Sequence, residues 1–140
     1  MSTFRPRVTD IRSAGPFDQV VTVTGGKGAY RKRPCAGCPW VKSNDGVFPA
    51  KAFEHSAATA YDMSDKRFAC HESGVNRPST CAGFFLRGAE HNMAVRLDII
   101  RGRLDPAGIS DGGRELHESY RSMAIANGVA PDSHALKRCR

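Results

Sequence analysis

No apolar run in this chain approaches the roughly 20 residues that a helix needs to cross a bilayer. Its start, Met1-Ser-Thr-Phe-Arg-Pro-Arg7, has no apolar core of the secretory kind. A membrane protein is therefore not expected, and the reading is cytoplasmic. Acidic residues are scarce, 14 against 21 basic, and the resulting +7 formal charge points to an anionic partner such as nucleic acid. No internal repeat or low-complexity tract is present. With 140 residues there is chain for one modest core, and 14 Gly with 8 Pro imply a loop-rich one. Several catalytic signatures are missing. Gly25-Gly-Lys-Gly28 lacks the Gly-Lys-Ser/Thr ending and following helix of a phosphate loop. The His-x-Glu followed by Pro-Cys-x2-Cys order of the zinc deaminases is absent. So is a second Cys-x2-Cys knuckle.

What is present is a set of four cysteines. Cys35 and Cys38 form a Cys-x2-Cys pair, Cys70 follows after 31 residues, and Cys81 after ten more, with His71 next to Cys70. A reducing compartment keeps such thiols available as ligands or catalysts. A tight pair plus two later thiols can close four soft ligands around one ion or cluster, so Cys35, Cys38, Cys70 and Cys81 are read as one centre. A thioredoxin-type redox pair fits less well, because Pro39-Trp40 and then a loop follow Cys38 where a long helix is needed.

The identity of the centre stays open between two choices. The dispersed spacing, the Cys38-Pro39 step and the nearby Trp40, Phe68, Phe84 and Phe85 suit a shielded 4Fe-4S cluster, which is slightly favoured. Zn²⁺ is the commoner ion, and His71 with Cys35, Cys38 and Cys81 would make a mixed site for it. Cys139, in the basic tail, is an alternate ligand or a free thiol. His55, His91, His117 and His134 read as ordinary surface histidines.

The organisation predicted is a mainly α fold with a short β element, a small α+β domain built around the cysteine centre. Residues 1–30 form an arm with one edge strand or hairpin, the strand at Gln19–Thr24, and residues 31–140 form a cysteine-centred helical domain. Helices are predicted from Pro49 to Tyr61, from Cys81 to Arg101 as the spine, and from Asp111 or Gly113 to Ala126, the last ending at a left-handed Asn127-Gly128 cap. The second carries Leu86, Ala89, Met93, Leu97 and Ile100 as one stripe, and Phe53, Tyr61, Leu86, Met93, Leu97, Leu116, Tyr120 and Met123 are expected to supply much of the core.

Cys35-Ala-Gly-Cys-Pro-Trp40, Phe68-Ala-Cys-His-Glu-Ser-Gly74, Cys81-Ala-Gly-Phe84 and Ser119-Tyr-Arg-Ser-Met-Ala-Ile-Ala-Asn-Gly128 together resemble a family of small uncharacterised proteins of bacteriophages and prophages. The resemblance covers about residues 30–140, with Val41 standing where members often have Arg. It implies a phage or prophage origin, hence the host cytoplasm, and a cysteine-centred site without an assigned activity.

The leading expectation is a non-enzymatic, metal- or iron-sulfur-organised regulatory or interaction module. Lys27, Arg31, Lys32, Arg33, Arg101 and Arg103 either face nucleic acid or a host nucleic-acid-handling machine, or offset the charge of the thiolates. One alternative is a metal-dependent hydrolase or deaminase-like enzyme with three thiol ligands, in which His71 or Glu72 accepts a proton. A second is an iron-sulfur redox sensor.

Overall fold

The computed structural model describes residues 7–13, 19–24, 30–70 and 79–139. Lys27, His71 and Glu72 lie outside them. Valine- and threonine-rich segments favour extended pairing. Strands β1 (Arg7–Ser13), β2 (Gln19–Thr24) and β3 (Lys66–Phe68) form an antiparallel sheet in the order β1-β2-β3. The segment Gln19–Thr24 is the middle strand, because Thr22 pairs with Phe68 and Thr24 with Lys66 on its far side. Beyond β3 the pairing runs on as a bridge between Ala69 and Thr80, and Tyr30 joins Thr80 in parallel.

Helix α1 spans Ala50–Ser56, with Pro49 immediately before it, and tightens into a 3-10 turn over Ala57–Ala60. Its inward face buries Phe53 and Ala57, while Tyr61 is half-buried and donates its hydroxyl to the Ala135 carbonyl.

The single long spine is corrected to two short helices, α2 (Ala82–Arg87) and α3 (Met93–Ile100). The cause is tertiary. Gly88 ends α2 with the Trp40 ring against it, and a Cβ there would lie 2.5 Å from the ring. Asn92 then starts α3: its Oδ1 accepts the Val95 N–H, and its amide donates to the carbonyls of Thr59 and Lys66. These bonds satisfy a helix N-terminus and two loop carbonyls with one side chain, which outweighs the continuous apolar periodicity.

The break changes which residues are inside. Leu86 (37% exposed) and Ile100 (80%) are on the surface, and Met93 and Leu97 are only half-buried, contrary to the predicted stripe. The face of α3 that packs inward carries Val95 and Asp98, the latter ion-paired to buried Arg67 of β3. A Schellman turn closes α3, with Gly102 at positive φ, Gly102 N–H bonding Ile99 O and Arg103 N–H bonding Asp98 O.

The third predicted helix is shortened to α4 (Tyr120–Ala126). Leu116 is buried as expected, but through an extended bridge to Val41. The helix begins at Ser119, whose side chain makes a reciprocal cap with Ser122. It ends at Asn127-Gly128 as predicted, with Gly128 at φ +100° and the Val129 N–H returning to the Ala124 carbonyl.

The core gathers around Trp40, which is fully buried against edges of Phe68 and Tyr120, with Phe53, Phe84, Met123 and Leu136 beside it. The result is a small α-rich fold with one three-stranded sheet among the described residues. No helix there is long and apolar enough to cross a membrane.

Candidate metal centre

Three backbone devices bring the cysteines toward one another. The Cys35–Cys38 segment closes as a turn, with the Cys38 N–H bonded to the Cys35 carbonyl at 3.1 Å. Asn44 locks that turn by donating to the carbonyls of Ala36 and Cys38, each at 2.9 Å. Cys81 sits just before α2, as its N-cap, and its N–H bonds the Phe68 carbonyl, while the Cys70 N–H bonds that of Ser79. With Ala69 opposite Thr80, residues 68, 70, 79 and 81 share one face of this short ladder. Cys70 and Cys81 are thus diagonal neighbours on that face, roughly 7–8 Å apart at the backbone.

The sulfurs of Cys38 and Cys81 lie 3.6 Å apart across 43 residues of chain. None of the four cysteines is in a disulfide; Cys38, Cys70 and Cys81 are buried and Cys35 is partly exposed. Cys35 bonds the Cys38 sulfur and pulls its pKa down, but the Cys81 sulfur and burial outweigh that, holding the Cys38 thiol well above its ordinary value. Two buried sulfurs in contact cannot both ionise without a cation between them.

Among the described residues, no three Cys, His, Asp or Glu side chains are drawn tightly enough to hold an ion as they stand. The donor chemistry nonetheless fits one. Two thiolates 2.3 Å from a tetrahedral ion stand about 3.8 Å apart, close to the Cys38–Cys81 distance. In a cubane each cysteine ligates a different iron on the outside of the cluster, which sets sulfurs roughly 6 Å apart.

The other predicted residues are dispersed. Cys139 is buried and donates its thiol to the carbonyls of Ala57 (3.5 Å) and Ala135 (3.8 Å), far along the chain from the turn at Cys35. Arg31, Lys32 and Arg33 are exposed on a strip held at both ends: the Arg31 N–H bonds Thr80 O, and Lys32 O accepts the Ser110 N–H. That strip leads directly into Cys35. Arg101 is exposed and Arg103 half-buried at the turn after α3.

One histidine was misjudged from sequence. His117 is buried, and its Nε2 lies 2.6 Å from Asp45 Oδ1, while its N–H bonds the Trp40 carbonyl. It ties the loop after the Cys35–Cys38 turn to the segment before α4. No local pattern marked it, since strict alternation would turn residue 117 away from the face of buried Leu116. A cavity of about 90 Å³ lined by Arg87, Glu90, His91, Glu118 and Ser119 lies beside α4, well below the roughly 300–1,000 Å³ of a typical small-molecule pocket.

A family model described as a family of unknown function, DUF6283, matches residues 30–140. The chain belongs to that family. No curated protein and no solved structure matches it.

Proposed function

We propose that this member of DUF6283 is a small phage-type binding module, not an enzyme, whose loops are organised by one mononuclear thiolate-bound cation of the Zn²⁺ class. Cys35, Cys38, Cys70 and Cys81 are its ligands, and its partner is nucleic acid or a nucleic-acid-bound protein. The observation that carries the reading is the 3.6 Å separation of the Cys38 and Cys81 sulfurs, which favours a single ion over the 4Fe-4S cluster that spacing alone preferred. Four protein ligands leave no open position for a substrate, so the ion's contribution is to folding. The exposed Arg31-Lys32-Arg33 strip adjoins this centre, which makes it a phosphate-binding edge stiffened by the same ion.

The test is metal analysis and absorption of protein purified without oxygen. One zinc-class ion per chain in a colourless solution is expected, and Cys38→Ser should lose it together with a large part of the melting temperature. A brown solution absorbing near ~400 nm would instead support a cluster and the redox-sensor reading. An unchanged melt in Cys38→Ser would remove the metal centre altogether. Charge reversal of Arg31, Lys32 and Arg33 should weaken binding to duplex DNA and flatten its salt dependence at constant metal content. Binding insensitive to both would dismiss the nucleic-acid edge.

A further inference from the structure

Helix α3 is apolar on the side that does not pack. At 100° per residue, Val95 and Asp98 point to the core, and the opposite side carries Met93, Leu97 and Ile100 at i, i+4 and i+7, with Arg96 between them. Ile100 is 80% exposed. Met63, also well exposed and held at positive φ, lies in the loop bound to the start of this helix through Met63 N–H to His91 O and Met93 N–H to Ser64 O. The fold covers Met93 and Leu97 only in part and leaves Ile100 in water, and unbranched methionines suit an adaptable contact surface.

The charges at the C-terminal end of the stripe are basic, while the exposed acids Asp62, Asp65 and Glu90 lie toward its N-terminal end. Arg96 and Arg101 are exposed beside Ile100, and the Schellman turn through Gly102 brings Arg103 back toward the same end. The one acid of the helix, Asp98, is buried against Arg67 and adds nothing to the outer face. We infer that the outer face of α3 docks an acidic, amphipathic helix of another protein, its leucine-type side chains on Met93, Leu97 and Ile100 and its carboxylates on Arg96 and Arg101. Arginine and methionine are enriched in such contacts, and arginine pairs bidentately with carboxylates. A second copy seated on a two-fold axis through Ile100 is disfavoured, since it would set the same arginines against each other. Nucleic acid would use the arginines but leave the aliphatic stripe in water.

The inference depends on the fold of α3 and not on the cation. It is tested by selecting a random displayed peptide library on the full chain, with depletion on the Ile100→Glu variant. Enriched peptides should carry Asp or Glu between apolar residues spaced three and four apart. As synthetic peptides they should bind the wild type at least ten-fold more tightly than either Ile100→Glu or Arg96→Glu/Arg101→Glu, and more weakly as salt rises. Because these side chains are exposed, all three proteins should melt together, which separates lost docking from lost folding. No enrichment, peptides without acids, or equal binding to Ile100→Glu would overturn the proposal. So would a concentration-dependent dimer abolished by Ile100→Glu, which would assign the face to self-association, or displacement of the peptide by duplex DNA at equal affinity.

Discussion

Replacing Gly83 by alanine sets two effects of known size against each other. Gly83 lies inside α2, where alanine alone would gain up to about 1 kcal/mol of helix propensity. The added Cβ, however, would stand 2.6 Å from Trp40 Cβ, 2.8 Å from Cγ and 3.0 Å from Cδ1. Carbons prefer about 3.5–4.0 Å, so Trp40 has to retreat by roughly 1 Å. It cannot do so by swinging its ring, because the nearest atom is the one fixed to its backbone. That backbone is pinned by the His117 N–H on the Trp40 carbonyl at 2.9 Å and by the neighbouring Val41–Leu116 bridge. Overpacking costs about 1–3 kcal/mol, and a clash with an atom fixed to the backbone lies at the upper end, about 2–3, so after the propensity gain the net expectation is a loss of about 1–2 kcal/mol. Urea denaturation followed by circular dichroism measures it, with Gly108→Ala as control: that position has open space and ordinary φ, and should change by less than about 0.5 kcal/mol. The contact also joins the two sides of the candidate centre, since Gly83 follows Cys81 by two residues and Trp40 follows Cys38 by two. Gly83→Ala should therefore weaken ion binding at least ten-fold in competition with a chromogenic chelator. A variant as stable as the wild type, or more so, would show that propensity governs this helix and that Trp40 is not clamped.

Asn92→Ala removes the α3 cap and leaves the carbonyls of Thr59 and Lys66 unpaired in the interior, so a loss of about 2–3 kcal/mol is expected in the same assay. Hydrogen exchange should show α3 opening before the rest; a loss under about 0.5 kcal/mol would mean that packing alone starts the helix. Burial raises the Cys139 thiol to about 11 against the opposing pull of Arg121. Because its folded pKa lies above the unfolded value, near ~8.5, its contribution is complete below that value and is lost as pH rises through 11. Cys139→Ala should flatten the fall in stability over this alkaline range; an unchanged pH profile would refute the assignment.

Local chemistry was legible where it acted locally. Val and Thr density marked Gln19–Thr24, Pro49 marked the entry to α1, and Asn127-Gly128 marked the exit from α4, since each depends on a few adjacent residues. Apolar periodicity across residues 81–101 suggested one helix, because a pattern of period 3.6 cannot register an indole arriving from residue 40 or an asparagine reaching two distant carbonyls. The same blindness hid the pairing of Asp98 with Arg67, which turned α3 so that its better apolar stripe faces outward. At the cysteines, spacing suggested a group of ligand type but could not supply a distance between sulfurs, and that distance is what the proposed single ion rests on.

Trp40 is the only tryptophan in the chain, fully buried and two residues from Cys38. All indole emission consequently comes from one point, where the ring rests between α2 and the segment before α4 and its packing is continuous with the sulfur pair. Emission wavelength becomes a gauge of water entering at that point, and intensity a gauge of any change at the sulfurs. Addition of Zn²⁺, unfolding and the grip of any partner can each be tested in real time on the unlabelled chain, through the light of a single side chain.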